Sequence, residues 1–200
     1  NAQKFKIISE KDQGIYDAFN KGIKLCSGDI ISILNSDDFF AYDQVLEDLN
    51  TIFMNNKVDI VYGNLKYVKR NTGKKFIRYW KSKDYIFNDF KKGWSPPHPS
   101  FFVKKEIYEQ YGDFKLKYGN ASDFELMFRF LEENKLKSYY FDKTLVFMRS
   151  GGKSNKNLKE IIKQNIILLD ILNINKNLIM IFKFLFYKFF NRIKQYIFLK

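Results

Sequence analysis

The chain is poor in the residues that build cross-linked or metal-caged folds. It has one cysteine, Cys26, which excludes an internal disulfide framework and any cysteine-based metal cluster. Its one histidine, His98, excludes a multi-histidine zinc centre. Three prolines and ten glycines exclude repetitive fibrous classes, and no internal repeat appears along the chain. The start, Asn1-Ala2-Gln3, carries no signal-peptide pattern. Acidic residues are also scarce, 22 against 35 basic, so the net charge is +13. What is present is a globular composition: 46% apolar and 18% aromatic over 200 residues. That is far too aromatic for disorder and long enough to bury a core.

The charge is unevenly placed. Residues 151–200 hold ten basic residues and two acids, a net of +8 out of the +13. A basic chain suits nucleic acid, an anionic membrane or phosphorylated ligands. The remaining +5 is small for a nucleic-acid binder, and the lysines of the tail alternate with phenylalanines. No nucleic-acid partner is therefore expected.

Periodicity predicts an α/β chain. The run Phe5-Lys6-Ile7-Ile8-Ser9 reads as a strand and residues 15–26 as a helix, with Cys26 a small core residue. Ile30 to Leu34 is a short buried-type strand that ends in Asn35-Ser36-Asp37-Asp38. Asp43 is positioned to cap a helix through Asn56, with Leu46 among its inward residues. Val58 to Gly63 is a strand, and Leu65–Val68 with Lys75–Trp80 predicts a hairpin around Asn71-Thr72-Gly73. Gly93 to Pro99 is a loop, Ser100–Val103 a strand, and Lys105–Tyr111 a helix closed by Gly112. Ser122–Glu133 reads as a helix opened by a capping box of Ser122 and Glu125. Ser138–Arg149 alternates like a strand. Residues 157–174 and 177–198 read as two helices.

Asp37 and Asp38 form the sharpest local feature. Adjacent carboxylates repel unless they are solvated or share a cation. The end of a buried strand is where open α/β sheets place ligands. The pair admits two readings: a site for Mg or Mn bound together with substrate phosphates, or an exposed turn before the next helix.

A longer pattern decides between them. Ser9-Glu10-Lys11-Asp12-Gln13-Gly14-Ile15-Tyr16-Asp17-Ala18-Phe19-Asn20-Lys21-Gly22-Ile23, then Ser27-Gly28-Asp29-Ile30 and Leu34-Asn35-Ser36-Asp37-Asp38, resembles the family 2 glycosyltransferases of the GT-A fold. The bacterial branch that builds lipopolysaccharide O-antigen, capsule and exopolysaccharide is the most similar. His98-Pro99-Ser100-Phe101-Phe102-Val103, Tyr111-Gly112-Asp113-Phe114, Ala121-Ser122-Asp123-Phe124-Glu125-Leu126 and Gly151-Gly152-Lys153-Ser154 are similar to the later segments of that family. The resemblance covers residues 5–155, and the ordered set is far more specific than any piece.

The resemblance implies a mixed sheet flanked by helices and an inverting transfer of sugar from a nucleotide-diphosphate sugar to a lipid-linked or saccharide acceptor. Asp37 and Asp38 would hold a divalent cation, Mn or Mg, at the diphosphate. Asn35 replaces the first Asp of the family's Asp-x-Asp element. Asp123 would be the base that takes the acceptor proton. Asp12, Asp17, Asn20, Lys21 and Asn35 match donor-site positions. Lys21 suits a phosphate, while Asp17 and Lys21 equally suit an i,i+4 ion pair. His98, Trp94 and Glu125 would line the acceptor or diphosphate, with core packing open for Trp94 and a helix cap open for Glu125. The family's first β-α-β unit, with its nucleobase-binding Asp, has no counterpart, so residues 1–155 read as a partial GT-A domain. A truncated, non-catalytic membrane-associated remnant or interaction module is the alternative reading.

Residues 156–200 read as a separate basic helical segment. On a helical wheel, Leu178, Ile179, Phe182, Leu185, Phe186, Phe189, Phe190, Ile193, Tyr196 and Ile197 share one side. Lys176, Lys183, Lys188, Arg192 and Lys194 fall on the other half, where Ile181, Phe184 and Phe198 spoil the separation. The lysines interrupt the run too often for a spanning helix. A basic helix rich in Phe suits an anionic membrane surface, here through residues 176–200. The expected location is cytoplasmic, peripheral at the inner face of a bacterial plasma membrane. Packing on the domain with lysines outward is the other reading.

Overall fold

The computed structural model describes residues 6–69, 75–151 and 158–197. Six strands form one mixed sheet: β1 (Ile30–Ile31), β2 (Phe39–Phe40), β3 (Ile60–Val68), β4 (Phe76–Trp80), β5 (Phe101–Lys104) and β6 (Ser138–Arg149). Their order is β1-β5-β3-β6-β2, with β4 paired to the second half of β3. Only β3 and β6 run parallel; the other pairs are antiparallel. The helices are α1 (Ile15–Leu25), α2 (Val45–Asn55), α3 (Lys105–Tyr111), α4 (Ser122–Phe128), α5 (Leu158–Ile171) and α6 (Leu178–Ile197).

Strand alternation divides the core in two. Ile60, Tyr62, Phe101 and Val103 face a large cluster that also takes Ile23 of α1, Ile107 of α3, Leu126 of α4, Leu168 and Leu172 of α5 and Phe184 of α6. Val61, Leu65, Phe102, Leu145 and Val146 face a smaller cluster closed by Val45, Leu49 and Phe53 of α2. Because both faces are covered, β3 opens as a continuous apolar run rather than an alternating one. Gly63 sits where β3 and β6 approach most closely and where their register shifts. A Cβ there would stand 2.5 Å from the Leu145 side chain and 2.9 Å from the Lys143 carbonyl oxygen.

Several expectations need correction. Lys6 to Ser9 pairs with no strand among the described residues and is exposed, because a strand without a ladder partner has nothing to satisfy its backbone. Strand β1 stops at Ile31, three residues earlier than its apolar run suggests. Cys26 is exposed rather than in the core. Asp43 does not cap α2: Gln44 occupies that position, with no side-chain cap bond, and Leu46 faces outward. The capping box does not form either. Ser122 Oγ donates to the carbonyls of Lys115 and Gly119, both at 2.8 Å, and Glu125 turns inward to other partners. The helix it opens reaches Glu133, but its last turn, Arg129–Glu133, widens to a π-helix. Asn71-Thr72-Gly73 and Gly152-Lys153-Ser154 lie outside the described residues.

The two C-terminal helices pack on the domain. Ile181 and Phe184, the two residues that spoil the helical wheel, lie on the docked side of α6: Phe184 is fully buried in the main core and Ile181 packs against it. On the same side, Asn191 donates to the carbonyls of Lys92 and Gly93, and Arg78 Nε donates to Gln195 Oε1 at 2.6 Å. Gly93, at φ +64°, admits the helix closely, since a Cβ there would meet the Lys188 backbone at 2.6 Å. Lys188 is drawn into this interface, donating to Asn165 Oδ1 at 2.6 Å. Burial, and then the charge of Arg192, lowers its pKa from 10.5 to about 8.

That shift gives a pH prediction. An unfolded chain holds the Lys188 proton up to pH 10.5, whereas the folded chain releases it near 8. Unfolding therefore takes up a proton between those values, and stability rises with pH there. Lys188→Met removes the cost of the buried charge. It is expected to be more stable than wild type at pH 7 by on the order of 2 kcal/mol. Urea titrations of both proteins should show the gap closing as pH rises through 8 towards 10.5.

Candidate functional site

Three groups of residues gather the chemistry that the sequence singles out. The first surrounds Asp123. This residue lies in the first turn of α4, where the helix dipole favours a negative charge. One of its oxygens accepts from the Phe124 N–H at 2.7 Å. The Tyr16 hydroxyl, from α1, also bonds to it. Burial and then the Asp123 charge push the Tyr16 hydroxyl far above its ordinary range, so it stays protonated and serves as a donor. His98 faces the same carboxylate. Burial lowers its pKa, against the opposing pull of Asp123, so the ring is held neutral. The His98 ring packs edge-on to Phe114 at 5.4 Å and stacks on Phe19 at 6.3 Å.

The surroundings of this carboxylate are set by a clamp on one loop. Asn20, buried on α1, donates to the Phe114 carbonyl at 2.8 Å and accepts from the Phe114 N–H at 2.9 Å. From the other side Arg129 donates to the carbonyls of Tyr111, of Gly112 at 2.9 Å and of Asp113 at 2.7 Å. Glu125 holds Arg129 in place at 3.0 Å and also pairs with Lys115 at 2.6 Å. The amide of Asn20 is thus spent on the backbone of Phe114, and the carboxylate of Glu125 on two cations. Both therefore hold this loop and its neighbours in place. Arg129 escaped the sequence reading, although its four-residue spacing from Glu125 is a helical ion-pair signal. Tyr16 was visible only as part of a motif, since its partner lies on a different helix.

The second group is the turn between β1 and β2. Asp38 is buried and anchored at both oxygens: Asn35 Nδ2 donates at 2.8 Å and the Arg149 N–H at 3.2 Å. Burial raises its pKa, with those two donors pulling the other way. Asp37, half-buried beside it, lies one residue further from the sheet. The donor set is oxygen only, which suits a hard divalent cation. No group of three or more His, Cys, Asp or Glu among the described residues could cage a metal. The pair therefore fits Mg or Mn only if the cation takes most of its ligands from water and a diphosphate, as Mg commonly does.

The third group is an ion cluster at the start of α1. Lys21 Nζ contacts Glu10 at 2.8 Å, Asp12 at 2.9 Å and Asp17 at 3.4 Å. The bonds to Glu10 and Asp12 raise its pKa, and the Gln13 N–H holds that of Asp17 down. Lys21 is thus surrounded by carboxylates rather than presented alone to a phosphate. Trp94 is buried among Tyr62, Tyr85 and Phe90, with Lys83 over its ring at 5.3 Å, so it packs in the core and offers no open face to a sugar.

Known proteins carry similar sequences and folds. PGL/p-HBAD biosynthesis glycosyltransferases of Mycobacterium tuberculosis and Mycobacterium bovis are 26% identical over 151 residues, covering 74% of this chain and 56% of theirs. The crystal structure of S. aureus TarS 1-349 in complex with UDP-GlcNAc matches 86% of this chain and 55% of its own, with a TM-score of 0.54 at 14% identity. The crystal structure of S. aureus TarS 1-349 gives 0.51 at 13% identity, over 85% of this chain and 50% of its own. The fold is that of the GT-A glycosyltransferases. The chain spans a little over half the length of the mycobacterial relatives. The model of glycosyl transferase family 2 matches residues 1–112, more than half of the sequence, and the chain belongs to that family.

Proposed function

We propose that this chain acts in a glycosyltransferase that moves a sugar from a nucleotide-diphosphate sugar to an acceptor hydroxyl. The observation that carries this reading is the Asp123 carboxylate. It sits at a helix start, takes a hydrogen bond from a protonated Tyr16 and faces a neutral His98. A carboxylate so held is a fixed acceptor for one proton. His98 brings no positive charge that would weaken it as a base.

In the proposed step the acceptor O–H proton passes to Asp123 as the acceptor oxygen bonds to the sugar's anomeric carbon. The bond from that carbon to the diphosphate breaks, and its electron pair leaves with the nucleoside diphosphate. Attack opposite the leaving group inverts the anomeric centre. Asp37 is the carboxylate that would reach a divalent cation, with Asp38 fixed behind it by Asn35 and Arg149. Such a cation, when bound, neutralises charge on the departing diphosphate. The surroundings of Lys21, Asp12 and Asp17 support a role in shaping the donor side rather than binding phosphate. The acceptor class we propose is lipid-linked or saccharide, in the assembly of a bacterial surface polysaccharide such as lipopolysaccharide, capsule or exopolysaccharide, at the inner face of the plasma membrane.

The test is a donor-hydrolysis screen with UDP-, GDP- and dTDP-sugars in the full-length gene product, with Mn, with Mg and with chelator. Turnover of at least one donor, lost with chelator and lowered at least tenfold by Asp37→Ala, is expected. Failure of the whole protein to bind or hydrolyse any donor would overturn the reading and leave the non-catalytic module.

A further inference from the structure

The outer face of α6 is apolar, and the structure leaves it uncovered. Leu178 is 82% exposed, Ile179 69%, Phe182 68% and Phe189 62%; Phe186, Phe190, Ile193 and Ile197 are exposed as well. At ~100° per residue these side chains fill an arc of roughly 120°, opposite the docked side of Phe184, Lys188 and Asn191. The helix has 20 residues, so the stripe runs for about 30 Å. Scattered exposed apolar residues are ordinary, but a continuous stripe of this length marks an interaction surface.

The charges say what covers it. Lys183 and Lys194 stand together along one edge of the stripe and Arg192 along the other. All three are exposed, and no acidic residue lies anywhere between Leu178 and Ile197. A second copy meeting this face would bring cationic edges against cationic edges. No helix among the described residues is long and apolar enough to cross a membrane, so α6 does not span one. An anionic bilayer surface matches both features, since acyl chains take the Phe and Ile side chains and headgroups meet the flanking cations.

We propose that α6 lies flat in the surface of an anionic membrane, its outer stripe in the lipid and its inner side on the domain. The helix is already folded and fixed by Phe184, Asn191 and Gln195, so the bilayer would set the orientation of the whole domain and not merely tether a flexible tail. This proposal does not depend on the enzymatic reading.

Flotation of the full chain with phosphatidylcholine vesicles, with and without phosphatidylglycerol, tests it. Binding is expected only where phosphatidylglycerol is present, weakening as salt rises. The double variant Phe182→Ser/Phe189→Ser should lose at least tenfold in affinity with an unchanged melting temperature, because both side chains are exposed. Lys183→Gln/Lys194→Gln should weaken binding about fivefold per residue. Three results would overturn the proposal: no vesicle binding by wild type, binding that ignores the phenylalanines, or a concentration-dependent dimer by light scattering that the phenylalanine variant abolishes while vesicles are ignored.

Discussion

Asp123→Asn in the full-length protein is expected to lower sugar transfer by about a thousandfold while donor affinity stays within about threefold of wild type. The substitution keeps the shape of the side chain. It can still accept from the Phe124 N–H and the Tyr16 hydroxyl, so α4 and its neighbours should be undisturbed. What it loses is the capacity to take a proton at that point. A general base contributes a few orders of magnitude, and its loss falls on the chemical step rather than on binding. Donor affinity by calorimetry and turnover by acceptor glycosylation separate the two. Turnover within tenfold of wild type would remove Asp123 from the role of base, whatever the fate of the donor screen.

Arg129→Met is expected to be the most damaging substitution to the fold. It strips the hydrogen bonds from the carbonyls of Tyr111, Gly112 and Asp113 and leaves Glu125 buried with Lys115 as its cation. Removing one member of a buried ion pair costs about 3–5 kcal/mol, mostly for the charge left behind. In a domain of this size that is roughly 10 °C of Tm. Urea unfolding of wild type, Arg129→Met and the double variant Glu125→Gln/Arg129→Met tests the cause. The double variant should recover part of the loss, because the orphaned charge is gone. A single variant within 1 kcal/mol of wild type would show that the clamp holds nothing.

Much of this fold was legible because its elements bury one face or two at a fixed period. The β3–β4 hairpin, β6 and the closing Gly112 of α3 stand where alternation and turn chemistry put them. Helix ends were less legible. Ser122 has the residue type of a cap, but its hydroxyl donates to the carbonyls of Lys115 and Gly119 instead, and Gln44 rather than Asp43 holds the cap position of α2. At the site, Asp37, Asp38 and Asp123 were visible as charges at element ends. What could not be read was which polar groups were already spent. Asn20 and Glu125 look like ligand residues in the sequence; Asn20 is bonded to Phe114, 94 residues away, and Glu125 to Lys115 and to Arg129 one turn along its own helix. The helical wheel of α6 failed at Ile181 and Phe184 for a related reason: the helix docks through one apolar side and carries a second apolar side outward, and one stripe cannot describe it.

The clamp on the Tyr111–Phe114 loop also bears on when the surroundings of Asp123 are assembled. Its two arms come from Asn20 and Arg129, and the Asn20–Phe114 pairing joins positions 94 residues apart. The Asn20 arm cannot close until the chain has been made beyond Phe114, nor the other until it has been made beyond Arg129, so the clamp is a late product of synthesis. Contacts of such long range slow a folding reaction, since the entropy of closing the loop is lost before any bond rewards it. Until then Tyr16 and Phe19 stand without the Phe114 ring they pack on, whereas the local cluster of Lys21 with Glu10, Asp12 and Asp17 has its partners already.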